Sequence, residues 1–102
     1  MQPFIAAHQA ELAELCRLFY VRRLDVFGSA ARQDFDPARS DVDFLVEFVW
    51  DSPLKALDQY FGLKEALEAL FNRKVDLVEA SAVKNPYFQA SIDLSRETVY
   101  AA

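Results

Sequence analysis

The chain has 102 residues, of which 53% are hydrophobic, and a formal net charge of −5. This length predicts a single domain over residues 1–102, and the hydrophobic content favours a packed core over disorder. An acidic chain with no basic run beyond Arg22-Arg23 is poorly suited to the phosphates of DNA or RNA, so direct nucleic-acid binding is not expected.

Targeting signals and reactive side chains are also scarce. No stretch approaches the roughly 20 apolar residues of a membrane span, and the N-terminus lacks a signal-peptide pattern. Cys16 is the only cysteine, so it cannot form an internal disulfide, and we expect it to pack in the first helix of a cytoplasmic protein. With His8 as the only histidine, no zinc or cysteine-protease constellation is available, and His8 is interpreted as structural or exposed.

The first half of the chain predicts two helices and two strands. Residues 4–20 have apolar positions at helical spacing, and residues 24–27 form a short strand. Ser29 could cap a helix that starts at Ala30, and residues 34–40, which include a proline, predict a loop. The next strand, 42–49, is apolar on both faces and is therefore expected to be buried on both.

The second half predicts a long helix, a strand and a last helix. Ser52 and Pro53 fit the N-cap and first position of a helix that runs to about Asn72. Gly62 lies inside this helix, where it either allows close packing or marks a break. Residues 75–78 predict a third strand and residues 87–100 a last helix. The order α-β-α-β-α-β-α predicts an α/β (α+β) fold in which helices flank a small mixed sheet.

The most informative feature is Gly28-Ser29 after the first strand, followed by Asp41 and Asp43 at the head of the second. Two carboxylates two positions apart on a strand point to the same face, where they repel each other unless a cation lies between them. Mg²⁺ is the cation expected for such oxygens, and it commonly shares its ligands with substrate phosphates. A glycine turn lets backbone approach a phosphate. The pattern therefore favours phosphoryl or nucleotidyl transfer over a turn followed by surface acids.

A third carboxylate lies on the third strand. Asp76 alternates with Val75 and Leu77, so its side chain faces away from theirs. If this strand lies beside the second, Asp76 can join Asp41 and Asp43; the alternative is a charge at the edge of the strand.

Several polar residues could contact the nucleotide. Arg32 lies one helical turn beyond Ser29, within reach of a triphosphate, although it could also be a surface arginine. Ser40 adjoins Asp41 and could contact the nucleotide or fix the loop. Arg39 and Lys74 are further candidates for phosphate contacts.

These residues resemble the signature of the minimal nucleotidyltransferase (MNT) family, within the DNA polymerase β-like nucleotidyltransferase superfamily: Gly-Ser, a short loop, then Asp-x-Asp. The resemblance extends from about Leu12 to Tyr100. It includes the segments 34–41 (DFDPARSD), 63–67 (LKEAL), 75–78 (VDLV) and 85–88 (NPYF). It implies a polymerase β-like fold and transfer of a nucleotide to an acceptor hydroxyl.

The resemblance also implies roles. Asp41, Asp43 and Asp76 would hold Mg²⁺, with Asp76 as the base, while Gly28 and Ser29 would bind the phosphates of ATP, the implied donor. Small members of the family are typically antitoxins that pair with a HEPN-domain ribonuclease toxin, and some transfer AMP to a tyrosine of it, which implies a hetero-oligomer. Two alternatives stay open: an antitoxin that acts by binding alone, and a small-molecule nucleotidyltransferase. The second is disfavoured because the sequence contains no further acceptor-binding domain.

Overall fold

The computed structural model of the chain describes residues 1–32, 36 and 41–102. Its helices are α1 (Pro3–Ala6), α2 (Gln9–Leu18), α3 (Ala56–Phe71) and α4 (Pro86–Ser95), and its strands are β1 (Val21–Phe27), β2 (Val42–Phe48), β3 (Val75–Glu79) and β4 (Glu97–Ala101). Short 3₁₀ turns follow β1 at Gly28–Ala30 and β3 at Ala80–Ala82. The predicted loop 34–40 lies outside the described residues, apart from Asp36.

The four strands form one mixed sheet in the order β3-β2-β1-β4. β1 pairs antiparallel with β2 and with β4, whereas β2 and β3 are parallel. The parallel pair is joined by a crossover that contains α3, as parallel neighbours require. The predicted fold class, a small mixed sheet flanked by helices, is confirmed.

Helices cover both faces of the sheet. On one face α1, α2 and α3 pack over alternate strand residues, because apolar side chains recur every second position in the strands and every third or fourth in the helices. The buried residues of this core include Ile5, Leu12, Cys16, Leu24, Val26, Val42, Phe44, Leu63, Leu67 and Val75. On the other face α4 contributes Ile92, which packs with Phe27 and Leu45. As predicted, Cys16 is buried in the core, and this burial raises the pKa of its thiol to about 12.

The predicted first helix is two helices. His8 leaves helical geometry with φ −112° and ψ 21°, and its Nδ1 lies 2.8 Å from the carbonyl oxygen of Phe4. The bend lets Ile5 in α1 and Leu12 in α2 both reach full burial. His8 therefore has the structural role expected of it.

The helix predicted to start at Ala30 is also wrong. The chain instead makes a 3₁₀ turn whose N-cap position is Phe27, so Ser29 lies inside the turn and not at its cap. Gly28 has φ +69°, in the left-handed region, and its carbonyl oxygen accepts from the backbone N–H groups of Ala31 and Arg32. This tight turn, rather than a helix, follows β1.

The long helix starts later than predicted, at Ala56, because the Oγ of Ser52 accepts from the backbone N–H of Leu54 and closes a turn there. Gly62 allows close packing: a Cβ at this position would lie 2.5 Å from Cε1 of Phe19.

The segment predicted as the last helix forms the helix α4 in its first part and the strand β4 in its second part. Asn85 caps α4 by accepting from the N–H groups of Tyr87 and Phe88. The chain leaves helical geometry at Arg96 (φ −62°, ψ 138°) and continues as β4, which was not predicted. β4 provides β1 with hydrogen-bonded neighbours on both sides, which hides the backbone polar groups of β1 from solvent.

Candidate active site

The sheet aligns one residue from each of three strands in a single row. Phe27 of β1 lies opposite Asp43 of β2, and Asp43 lies beside Asp76 of the parallel strand β3. Paired residues on neighbouring strands point to the same face, so the two carboxylates share one surface. The condition for Asp76 to join the other carboxylates, that its strand lies beside the second strand, is therefore met.

Gly28 lies close to Asp43, the middle residue of this row. A Cβ built on Gly28 would lie 2.6 Å from Oδ2 of Asp43, closer than a Cβ carbon can approach unless Asp43 shifts. The positive φ of Gly28 is also a conformation that L-residues rarely adopt. Both facts require glycine, and together they place the Gly-Ser turn directly against the carboxylate.

The surroundings of Asp43 disfavour the negatively charged form of its carboxyl group. Burial, and then the negative charges of Asp76 and Asp41, raise the pKa of Asp43 to about 6, while the positive charge of Arg32 lowers it. A hydrogen bond to Asp76 also raises this pKa, because two carboxyl groups can share a hydrogen bond only when one of them carries a proton. Such a perturbed, partly buried carboxyl is typical of functional sites.

The donor chemistry fits a divalent cation. The negative charges of Asp76 and Asp41 disfavour ionisation of Asp43, and a hard cation such as Mg²⁺ relieves that repulsion through oxygen ligands. Asp43 and Asp76 share a hydrogen bond, but among the described residues no three His, Cys, Asp or Glu side chains form a group that could hold a metal ion. Asp41 is partly buried and adds its charge.

The remaining predicted residues are distributed around the Gly-Ser turn. Ser29 is partly buried in the 3₁₀ turn, and Arg32, which is exposed, lies near enough to affect the pKa of Asp43. Lys74 is exposed immediately before β3. Ser40 and Arg39 lie outside the described residues.

A second charged cluster, which was not predicted from the sequence, is centred on Asp25 of β1. Asp25 is fully buried; its Oδ2 accepts from Nε of Arg96 at 2.8 Å and lies 2.6 Å from Nη2, while its Oδ1 accepts from Nε of Arg23 at 3.0 Å. An aspartate inside a buried strand was the available signal, because a buried charge requires a partner. The partner Arg96 is 71 residues away, so its identity could not be read locally.

A cavity of about 580 Å³ lies toward the other end of β2, where Glu47, Trp50 and Arg96 are among its lining residues. None of the predicted site residues that the structure describes lines this cavity. Among the described residues, no helix combines the length and apolar character that crossing a bilayer requires.

Comparison with known proteins agrees with this geometry. The pattern of the nucleotidyltransferase domain family matches residues 12–99. The chain is 37% identical over 100 residues to the protein adenylyltransferase MntA of Thermococcus cleftensis, covering 98% of this chain and 91% of that protein. A solved structure proposed to be a minimal nucleotidyltransferase is 28% identical, covers 95% of both chains and has a TM-score of 0.76.

A more distant match shows the same fold. An MNT antitoxin solved in complex with the tri-AMPylated HEPN toxin of Shewanella oneidensis superposes with a TM-score of 0.65 at 15% identity, over 96% of this chain and 73% of that one. With the family pattern spanning most of its length and the Gly-Ser turn lying on an aspartate pair, this chain belongs to the nucleotidyltransferase domain family and is an enzyme of its minimal class.

Proposed function

We propose that this protein is a Mg²⁺-dependent protein adenylyltransferase that acts as an antitoxin. It transfers AMP from ATP to a hydroxyl, most simply a tyrosine, of a cytoplasmic HEPN-type ribonuclease toxin. The similarity to the adenylyltransferase MntA and to an antitoxin bound to an AMPylated toxin supports the donor and the partner. The single observation that carries the proposal is the close approach of the Gly28 backbone to Asp43, whose carboxyl group is hydrogen-bonded to Asp76.

Asp41, Asp43 and Asp76 would hold the Mg²⁺. When bound, the metal neutralises charge on the phosphates and on these carboxylates. The raised pKa of Asp43 supports this role, because burial and the charges of Asp76 and Asp41 disfavour its negative charge in the absence of a cation. We therefore expect Mg²⁺ to bind these carboxylates together with the phosphates of the nucleotide.

The bond changes involve the acceptor hydroxyl and the α-phosphate. The hydroxyl oxygen forms a bond to the α-phosphorus, the bond from that phosphorus to the bridging oxygen of pyrophosphate breaks, and pyrophosphate leaves. Asp76 accepts the hydroxyl proton on its carboxylate and passes it to solvent, since Asp76 is solvent-exposed. Ser29 and Arg32 bind the leaving phosphates and hold the α-phosphate in line with the acceptor.

A second candidate function is inhibition by binding alone. Large apolar side chains are exposed on this protein, among them Trp50 (93% exposed), Leu94 (88%) and Tyr87 (86%). Each of these side chains is available to be buried against a partner protein. An antitoxin could therefore cover its toxin without modifying it.

The experiment that separates these functions uses a HEPN-type ribonuclease toxin, the proposed partner. The toxin is incubated with this protein, ATP and Mg²⁺, and both proteins are weighed by intact mass spectrometry. We expect the toxin to gain one or more AMP masses, with no gain in EDTA. The double variant Asp41→Asn/Asp43→Asn should still bind the toxin in a pull-down but leave its mass unchanged and fail to protect co-expressing cells.

The matched control is Asp51→Asn, which removes an exposed carboxylate in the turn after β2 and should behave as wild type. Full protection by the double variant, once its loss of transfer is verified, would refute the catalytic antitoxin and establish inhibition by binding. Transfer of AMP to a small molecule but not to the toxin would leave a nucleotidyltransferase with a different acceptor.

A further inference from the structure

The backbone N–H of Gly28 is already bonded within the protein. It donates to the Oγ of Ser95, the last residue of α4, at 2.8 Å. Ser95 is 67 residues away in sequence, so this bond ties the end of α4 to the Gly-Ser turn. Because its N–H already donates to Ser95, the Gly28 amide is not available to donate a hydrogen bond to a phosphate.

Arg96, which follows Ser95, holds the end of α4 against the rest of the protein. The guanidinium of Arg96 binds the buried Asp25, three positions before Gly28, and its Nη1 also bonds Asp93 at 3.1 Å. A guanidinium held by two carboxylates fixes the chain direction at the end of α4. The ion pairs of Arg96 therefore hold the end of α4, and with it Ser95, in a fixed position next to Gly28.

This arrangement determines where the turn lies relative to the carboxylates. Gly28 is held on one side by Ser95 and lies on the other against Oδ2 of Asp43. Rotation of the Gly28 peptide would break the Ser95 bond and move Ser29, the next residue, relative to Asp43. Groups that must meet a phosphate and its metal together tolerate little displacement.

We propose that Ser95 is a positioning residue for nucleotide binding: its hydroxyl fixes the Gly28 peptide so that the Gly-Ser turn and the carboxylates meet one triphosphate. The inference rests on the proposed function for its ligand, ATP with Mg²⁺. Its structural half, the hold of Ser95 on Gly28, is independent of that function.

The first test reads the Gly28 amide directly. The chain contains two glycines, so labelling with ¹⁵N-glycine gives an amide spectrum of Gly28 and Gly62 only. In Ser95→Ala we expect Gly28 amide exchange to accelerate by about tenfold because its hydrogen bond is lost. Gly62, inside α3, is the internal reference and should not change.

The second test measures nucleotide dependence. Ser95→Ala should raise the KM for ATP, at saturating Mg²⁺, about three- to tenfold with a smaller change in kcat. A merely structural role would reduce the active fraction and thus the apparent kcat, but leave KM unchanged. Ser95→Thr retains the hydroxyl and should restore both KM and Gly28 protection. Ser91→Ala, an exposed serine one turn earlier on α4, is the control and should match wild type.

Unchanged Gly28 exchange in Ser95→Ala would overturn the proposal whether or not the protein proves to be a transferase. Faster Gly28 exchange with an unchanged KM for ATP would also overturn it. If the wild-type protein transfers no AMP, the proposed function fails, and ATP binding measured by titration in Mg²⁺ then takes the place of KM. Wild-type affinity of Ser95→Ala in that titration would refute the positioning role.

Discussion

Asp25 and Asp43 lie on neighbouring strands of the sheet but occupy opposite electrostatic environments. Asp25 is fully buried and meets the guanidinium groups of Arg23 and Arg96. Asp43 is partly buried and faces two more carboxylates, which help to raise its pKa to about 6. The comparison teaches that a buried charge with internal partners serves the fold, whereas a charge left with like-charged neighbours indicates an external cation.

The largest expected effect is the loss of activity in Asp43→Asn. Removing a ligand of the proposed metal, next to the reacting phosphate, should reduce AMP transfer at least about 100-fold, because a bound metal contributes several kcal/mol to the transition state. The rate is measured with saturating ATP and Mg²⁺. Glu47→Gln removes a carboxylate further along β2 and should retain full activity. Equal losses in both variants would contradict a specific role for Asp43.

The reciprocal variant, Asp25→Asn, should affect stability. It leaves two guanidinium groups without a buried anion, and breaking a buried pair in this way costs about 3 kcal/mol of the free energy of unfolding. Urea unfolding monitored by circular dichroism measures the change. Asp93→Asn removes the exposed carboxylate that binds Arg96 and should cost less than about 1 kcal/mol. Similar costs for Asp25→Asn and Asp93→Asn would show that the buried cluster does not support the fold.

The two glycines provide a smaller, sterically matched comparison. Gly28→Ala places a methyl group at 2.6 Å from Oδ2 of Asp43, and we expect ATP binding in Mg²⁺ to weaken about tenfold. Gly62→Ala places its methyl group at 2.5 Å from Cε1 of Phe19, away from the site, and should leave ATP affinity unchanged. Titration calorimetry distinguishes the two. Unchanged ATP affinity in Gly28→Ala would remove the turn from the nucleotide site.

The smallest effect is a pH-dependent gain in stability for Asp43→Asn without metal. The folded pKa of Asp43 is raised to about 6, so the wild-type protein loses stability as the pH rises from about 4 to 6, and the loss is complete above 6. Asn carries no charge, so the variant should exceed wild type by about 1 kcal/mol at pH 7.5 and equal it at pH 4, after allowing for partial solvent exposure. Thermal melts in EDTA at both pH values measure this difference; a variant that is less stable at pH 7.5 would contradict it.

Local strand geometry was more predictable from the sequence than the contacts between distant segments. Strand alternation predicted the face to which Asp76 points, whereas its position beside Asp43 was expected only on the condition that the third strand lies beside the second, as it does in the structure. β4 was missed because a five-residue strand gains its identity from pairing with β1, more than 70 residues earlier. The bonds of Arg96 to Asp25 and of Ser95 to Gly28 likewise join distant segments, which local periodicity does not encode.

The most direct test of the account is a ¹³C NMR titration of the aspartate carboxyl carbons with and without Mg²⁺. In EDTA, the Asp43 carboxyl group should titrate with an apparent pKa of about 6. Saturating Mg²⁺ and a non-hydrolysable ATP analogue should lower that pKa well below its metal-free value, while the Asp25 resonance stays unchanged. If the pKa of Asp43 is the same with and without Mg²⁺ and the ATP analogue, the claim that Asp43 and Asp76 bind a cation is contradicted.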